Sequence, residues 1–213
     1  MNYEKERLEI IETALKLKDN NLIKMSGGNV SYKIGDNTIL VTPTAMEYET
    51  MKPEDIVVVN KDGDIIDGIR KPTSDLKAIL YIFNHMENVK VVIHTHQPNA
   101  IALSLIADEL PCISSTMVDE LHGSVKVAPF TISSDIGMGI YTVDFSNNSL
   151  AVILKNHGVM AYGNSFDQAL SAAIYLEESC AIYLKALGTH LPITSLTKKQ
   201  IEEEDAPRGN YGQ

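Results

Sequence analysis

Three histidines stand at the ends of apolar runs in this 213-residue sequence, and together they could hold a metal ion. His94 and His96 close the run "VVIHTH", and residues two apart on a strand project from the same face, roughly 6–7 Å apart. Two ligands make a weak site, because a catalytic zinc ion usually has three protein ligands and an open position. His157 in "LKNHG" has a similar context and is the candidate third ligand. Spacing alone does not distinguish a metal site from a coincidental histidine pair and a structural His157.

Three short polar segments could form a cradle for an anion. The glycines of "GGNVS" permit a turn that aims backbone N–H groups at a ligand. The segment "PTSD" offers hydroxyls at a helix start, where the helix dipole favours an anion, and "TPTA" adds a third loop. Ordinary turns and a helix N-cap would explain the same residues without a ligand. The candidate residues are Gly28, Asn29, Thr44, Thr73 and Ser74.

Asp75 follows this cradle directly. An acid in the first turn of a helix complements the helix dipole and needs no other role. A carboxylate beside a metal ion could instead act as a general base. The spacing does not decide between the two.

Helical and strand patterns alternate along the chain and must position these residues. The first 22 residues predict an amphipathic helix with Leu8, Ile11, Leu15 and Leu22 at helical spacing, ended by Asp19-Asn20-Asn21. Two hairpins are expected, with turns at Gly35-Asp36-Asn37 and at Lys61-Asp62-Gly63. A second helix should follow, capped by Thr73 or Ser74, and then the buried strand "VKVVIHTH".

The second half of the sequence continues the alternation. Pro98 can open a helix, and "SVKVAPF" and "LAVILKNHGVMAYG" predict further strands. The longest helix should begin after Ser165 and end at Gly188, before a polar tail. The intermixing predicts one α/β domain over residues 1–213.

Composition excludes several classes of function. The net charge is −10 and no basic patch is apparent, so a nucleic-acid role is not expected. No apolar stretch approaches the ~18 residues of a membrane span, and the charged N-terminus does not resemble a signal peptide. Cys112 and Cys180 are predicted to be free thiols, as in a reducing cytoplasm.

Taken together and in order, these motifs resemble the class II aldolase/adducin-head family. The matching stretches are "GGNVS", "LVTPTAMEY", "KPTSD", "VVIHTH", "LKNHG" and the terminal "YGQ". The resemblance implies a three-layer α/β/α sandwich around a mixed, largely antiparallel sheet. It also implies a homotetramer with active sites between subunits.

The resemblance further implies roles for single residues. His94, His96 and His157 would bind zinc, although another divalent metal is possible. Asp75 would be the acid/base beside the metal, and Tyr211 would reach into a neighbouring subunit's site. Substrate phosphate would lie against Gly28, Asn29, Thr44, Ala45, Thr73 and Ser74.

Two residues depart from the pattern of the family's fuculose-phosphate aldolases. Asp75 stands where those aldolases usually carry Glu, and both Asp75 and Asp119 match the ribulose-phosphate 4-epimerases of the family. Ala45 stands where most members have Gly. The short segment between His96 and His157 favours the aldolase branch. We therefore expect a zinc-dependent aldolase of L-fuculose-1-phosphate type, with the 4-epimerase and a catalytically inactive adducin-like domain as alternatives.

Overall fold

The structure, a computed structural model, describes residues 1–206 and is built around one large sheet. The strands are β1 (Asn29–Ile34), β2 (Thr38–Val41), β3 (Val57–Val59), β4 (Ile65–Asp67), β5 (Val91–Thr95), β6 (Glu109–Leu110), β7 (Val125–Ala128), β8 (Ala151–Leu154) and β9 (Gly158–Gly163). Their order across the sheet is β4-β3-β2-β1-β5-β9-β8-β7-β6. Neighbouring strands pair antiparallel, apart from the parallel pair β7 and β8.

Helices cover both faces of this sheet. They are α1 (Glu4–Asp19), α2 (Leu76–His85), α3 (Pro98–Ser104), α4 (Ser115–Leu121), α5 (Gly137–Phe145), α6 (Phe166–Leu187) and α7 (Lys198–Glu204). One hydrophobic core joins the sheet to α1, α3, α4 and α6, and a second joins it to α2 and α5. On β5, Val91 and Ile93 enter the first core and Val92 the second, as the two-residue period of a strand requires. The predicted α/β/α sandwich with a largely antiparallel sheet is confirmed.

The predicted ends of α1 and α6 are confirmed, but the buried face of α1 differs from the prediction. α1 ends at Asp19 as expected, but Leu8 is 50% exposed and the buried face consists of Ile10, Ile11, Ala14 and Leu17. Ser165 caps α6 by accepting a hydrogen bond from the Gln168 N–H, and Gly188 follows its last residue.

The predicted cap of α2 is wrong. Asp75 occupies the N-cap position and no side chain caps the helix; the Thr73 hydroxyl instead accepts a bond from the Asp75 N–H at 3.3 Å. The helix begins at Leu76, because the chain from Thr73 to Asp75 is still part of a loop.

Six elements were not predicted from the sequence: β6, α4, α5, α7 and two short 3-10 helices, Tyr48–Thr50 and Pro53–Asp55. The first two are too short to show a period, and α5 contains two glycines, which are poor helix formers. Both cysteines are buried free thiols. Within residues 1–206 no helix is long and apolar enough to cross a membrane.

Candidate active site

The three histidines of the sequence prediction meet at one end of the sheet. His94 lies on β5, His96 follows the last residue of that strand, and His157 lies in the turn between β8 and β9. One nitrogen from each ring can be chosen so that all three lie within 4.8 Å of one another. The Nε2 atoms of His94 and His96 are 3.1 Å apart. The cluster could therefore hold a metal ion.

Strand pairing fixes one ring of this cluster. β5 pairs with β9, and the Nδ1 of His94 lies 2.9 Å from the carbonyl oxygen of Val159 on that neighbouring strand. A carbonyl only accepts, so Nδ1 must donate, which leaves a lone pair on Nε2 for a metal. The Nδ1 of His157 is buried and has no hydrogen-bond partner among the described residues. Imidazole nitrogens freed in this way fit a zinc ion or a similar cation.

The electrostatics keep these rings neutral. Burial lowers the pKa of His94 to about 4; the negative charge of Asp75 opposes this shift and the neighbouring imidazoles add to it. Burial also lowers the pKa of His96, again against the charge of Asp75. The pKa of His157 is lowered by burial and then by His96. Neutral imidazoles are the form that binds metal, so near neutral pH no proton has to leave.

Two glycines allow the backbone to approach the histidines closely. Gly28 has a φ of +80°, and a Cβ there would lie 2.5 Å from the carbonyl oxygen of His94. A Cβ on Gly158, next to His157, would overlap the Thr95 carbonyl and lie 3.1 Å from the His96 ring. A side chain at either glycine would therefore push against the backbone that carries His94 and His96.

The three polar loops converge beside the histidines. An isolated bridge between Pro43 and Pro72 pairs the "TPTA" and "KPTSD" loops. The loop before β1 is fixed by the buried Tyr48, whose hydroxyl donates to the Gly28 carbonyl at 2.8 Å. Together with the histidines they enclose a cavity of about 280 Å³, lined by Ser26, Gly27, Gly28, Pro43, Thr44, Ala45, Thr73, Ser74, Asp75, His94, His96, Ser133, Ser134 and His157.

Asp75 is the anionic group of this cavity, and both of its carboxylate oxygens are engaged. The Asn29 amide donates to Oδ2 at 2.8 Å, and the Ser134 hydroxyl donates to Oδ1 at 2.9 Å. The residue is only 7% exposed. Asp75 thus faces the cavity with its orientation held from two sides.

Asn29 is placed differently from the other predicted phosphate residues. It is 1% exposed, lies opposite His94 in the pairing of β1 with β5, and is not part of the cavity lining. Its Nδ2 is committed to Asp75, and its Oδ1 has no partner among residues 1–206. Its observed contact is therefore with the carboxylate.

The lining includes serines that sequence reasoning missed. Ser133 and Ser134 come from the loop between β7 and α5, 59 residues after Asp75 in the case of Ser134. Their segment, "TISSDIG", carries no periodic or spacing signal beyond a pair of small polar residues before a helix. No lysine or arginine of the described chain lines the cavity, so hydroxyls and N–H groups must receive any anion there.

Two further predicted site residues differ in what the structure describes. Tyr211 lies outside the described residues. Asp119 is exposed on α4 and does not line the cavity.

The fold and the site define a class of protein: an α/β/α sandwich with a cluster of three histidines that could hold a metal ion and a carboxylate beside it. The chain belongs to the family described as "Class II Aldolase and Adducin N-terminal domain", whose sequence model matches residues 8–184. The predicted family and the predicted assignment to its lyases are confirmed.

Three proteins that are similar to this chain are named as sugar-phosphate aldolases. The chain is 30% identical to 5-deoxy-D-ribulose 1-phosphate aldolase of Bacillus thuringiensis serovar kurstaki over 100% of both chains. It is 29% identical to L-fuculose phosphate aldolase of Haemophilus influenzae, over 91% of this chain and 89% of that one. A solved L-fuculose 1-phosphate aldolase superposes with a TM-score of 0.89 at 25% identity, covering 96% of each chain.

Proposed function

We propose that this protein is a zinc-dependent aldolase that cleaves a ketose 1-phosphate, of L-fuculose-1-phosphate type, into dihydroxyacetone phosphate and an aldehyde. The observation that carries the proposal is the meeting of three neutral imidazoles and one oriented carboxylate in a single cavity. We further propose that residues 1–213 act as one cytoplasmic catalytic domain and assemble into homotetramers.

The phosphate is proposed to lie against the three converging loops. Thr44 and Ser74 are exposed at the cavity, and the Gly27-Gly28 turn can present backbone N–H groups. The start of α2 adds the favourable end of a helix dipole beside Ser74. Asn29, one of the six residues predicted to bind the phosphate, would act here through Asp75, to which its amide is bonded. Binding the phosphate holds the substrate away from the carbons that react.

A divalent metal held by His94, His96 and His157 would supply Lewis-acid stabilisation of the charge that develops on the ketose oxygens. Side chains of the protein would then carry out the proton transfers. In the cleavage direction the C4 hydroxyl loses its proton, the C3–C4 bond breaks, and its electron pair remains as an enediolate. Asp75 returns a proton to C3 of that enediolate, which gives dihydroxyacetone phosphate. Tyr211 of a neighbouring subunit is proposed to take the C4 hydroxyl proton and relay it to solvent as the aldehyde carbonyl forms.

The relatives support the ketose 1-phosphate half of the substrate more than the aldehyde half. 5-Deoxy-D-ribulose 1-phosphate and L-fuculose 1-phosphate both yield dihydroxyacetone phosphate on cleavage between C3 and C4. They differ in the aldehyde, which has two carbons in the first case and three in the second. Both aldehydes end in a methyl group, so the proposal extends to deoxy ketose 1-phosphates.

The test couples dihydroxyacetone phosphate release to glycerol-3-phosphate dehydrogenase, with both deoxy ketose 1-phosphates as substrates. We expect release from at least one of them. Asp75→Ala should retain bound metal and lose most of the turnover. Unchanged turnover in that variant would remove Asp75 from the mechanism, and no release from either substrate would remove the aldolase assignment.

The alternative is an L-ribulose-5-phosphate 4-epimerase, favoured by an Asp at both 75 and 119. Epimerase and aldolase share the carbon–carbon cleavage, and they differ in whether the aldehyde leaves or is turned and re-added. Asp119 is exposed on α4, away from the cavity of its own chain, so it would have to act across a subunit interface. Conversion of L-ribulose 5-phosphate to D-xylulose 5-phosphate, lost in Asp119→Asn, would favour this function.

A catalytically inactive adducin-like domain is the third possibility. A purely structural head would have no use for three clustered imidazoles with lowered pKa values. Purified protein that contains no metal and takes up none would support the inactive domain.

A further inference from the structure

Ser134 makes a contact that the proposed mechanism has not yet used. Its hydroxyl donates to Oδ1 of Asp75, while Asn29 donates to Oδ2 from the other side. A carboxylate with one donor on each oxygen cannot rotate about its last bond without losing a hydrogen bond. Each oxygen keeps a further lone pair that can face the substrate. The pair of donors therefore fixes the direction in which Asp75 presents its oxygens.

The backbone at Ser134 is strained in a way that serves this contact. Its φ is +65°, in the left-handed region that favours glycine and costs an ordinary residue about 1 kcal/mol. Glycine would fit this conformation without that cost, yet the chain has a residue with a hydroxyl. The serine N–H also donates to the sulfur of Met138, in the first turn of α5, at 3.2 Å. Strain of this kind, observed beside a reactive group, points to a use for the side chain.

Helix packing sets the distance between Ser134 and Asp75. Asp75 immediately precedes α2, and the Ser134 loop immediately precedes α5. These two helices touch at Gly139, where a Cβ would lie 2.9 Å from Cα of Ala78. This close approach brings the two loops together, so packing of α2 against α5 in the second hydrophobic core supports the contact.

We infer that Ser134 is a positioning residue that acts through Asp75. The inference rests on the proposed function, because it assigns Ser134 to the carboxylate that transfers a proton at C3. Without the Ser134 hydroxyl, Asp75 should keep its charge and its neighbours but lose its fixed orientation. Loss of an orienting partner of this kind typically reduces activity by about 10- to 100-fold.

The test uses a half-reaction that needs no aldehyde. Metal-loaded protein is incubated with dihydroxyacetone phosphate in D₂O, and exchange at the hydroxymethyl carbon is followed by NMR. One C–H bond breaks, the proton moves to Asp75, and the electron pair stays in the enediolate. Asp75 then exchanges its proton with solvent and returns a deuteron to the same carbon. The assay therefore reports on the proton transfer alone.

Two substitutions of Ser134 separate the hydroxyl from the backbone. Ser134→Gly removes both the hydroxyl and the strain, whereas Ser134→Ala removes the hydroxyl and keeps the strain. We expect both to lower kcat for exchange by about tenfold or more, with KM within about twofold and metal content unchanged. Ser134→Gly should also be the more stable of the two in urea. A purely structural role would instead predict that kcat follows stability.

A double variant tests whether Ser134 works through Asp75. In an Asp75→Ala background, Ser134→Gly should cause no further loss of exchange. Full exchange activity in both single Ser134 variants would overturn the inference, and so would an additive loss in the double variant. If the unmodified protein fails to exchange, the proposed function fails. If it exchanges and Asp75→Ala exchanges equally well, the role of Asp75 fails.

Discussion

Asp75 stands at the N-cap position of α2, but its side chain does not cap the helix and instead lines the cavity of the candidate site. At the N-cap position an aspartate usually accepts a bond from the first turn of its own helix. Here no such bond forms, and the carboxylate turns to Asn29 and Ser134. Both oxygens of the Asp75 carboxylate are therefore held by donors that the chain itself provides.

Ala45 is a second residue whose identity matters, and the first prediction concerns its backbone. Its φ is +55°, which costs an alanine about 1 kcal/mol, whereas glycine's extra freedom in the unfolded chain costs about 0.4–1 kcal/mol. Ala45→Gly should therefore leave the free energy of unfolding unchanged or raise it by up to about 1 kcal/mol. Ala181→Gly, in the middle of α6, should lower it by about 1 kcal/mol. Urea denaturation measures both, and equal destabilisation would contradict the strain at Ala45.

The histidine cluster makes the metal-free protein sensitive to acid. The native pKa of His94 is about 4, against 6.5 for an unperturbed histidine. Between those two pH values the unfolded chain binds more protons than the native chain. The free energy of unfolding should therefore fall as the pH falls from 6.5 to 4, by up to about 1.4 kcal/mol per pH unit from His94.

His96 and His157 act in the same direction, because their pKa values are also lowered. Urea denaturation of chelator-treated protein across this pH range measures the slope. His157→Gln removes one of the three groups and should give a shallower slope. A stability that does not change with pH in this window would contradict the lowered pKa values of the three histidines.

At the scale of elements, the strand period explains part of the site and pairing explains the rest. The period of two predicts that His94 and His96 share a face, and the structure has them 3.1 Å apart at Nε2. The approach of His157 depends on β9 pairing with β5, which the spacing of residues along the chain does not reveal. The strand period alone therefore did not bring His157 to His94 and His96, and the family resemblance was needed to group the three histidines.

Ser134 could not be predicted for a related reason. It depends on α5, whose sequence contains Gly137 and Gly139 and whose N-cap, Ile136, offers no side-chain bond. Local propensity argues against a helix there, and close packing against α2 at Gly139 overrides it. A contact created by tertiary packing leaves no pattern in the local sequence.

The glycine turn before β1 gives a prediction at the element scale. Gly28 and Gly35 both have positive φ, but a Cβ at Gly28 would also lie 2.5 Å from the His94 carbonyl oxygen. No described atom lies within 4 Å of a Cβ at Gly35. Gly35→Ala should therefore cost up to about 1 kcal/mol, because the strain of a positive φ is partly offset by the lower freedom of alanine in the unfolded chain. Gly28→Ala should cost a further ~1–3 kcal/mol from overpacking.

Urea denaturation compares the two variants directly. Gly28→Ala should also weaken metal binding, because the end of β5 must shift to make room for the methyl group. Equal destabilisation by the two substitutions would show that a methyl group at position 28 does not collide with β5.

At the scale of the whole molecule, the proposal requires two subunits for one site. The cavity of residues 1–206 is lined by one carboxylate and three imidazoles, and Tyr211, the group proposed for the aldehyde, would come from another subunit. The loop that carries Ser134 also exposes Phe130 and Ile132, which are 61% and 72% exposed. Exposed apolar side chains of this kind often mark a surface that assembly covers.

Mixed oligomers test the proposed exchange of residues between subunits. Tyr211→Phe and Asp75→Ala should each have low turnover as pure oligomers. When the two variants are unfolded and refolded together, some sites combine an intact Asp75 with an intact Tyr211 from the neighbour. Random mixing should restore roughly a quarter of the original turnover. Turnover that stays at the level of the separate variants would place Tyr211 in its own subunit's site or outside catalysis.

The central claim is that catalysis depends on one metal ion held by His94, His96 and His157. The direct measurement is a titration of chelator-treated protein with Zn²⁺, in which bound metal and dihydroxyacetone phosphate release are followed together. We expect turnover to disappear on chelation and to return in proportion to bound metal, up to one ion per chain. Turnover that survives removal of all metal, or metal uptake that His94→Ala leaves unchanged, would contradict the claim.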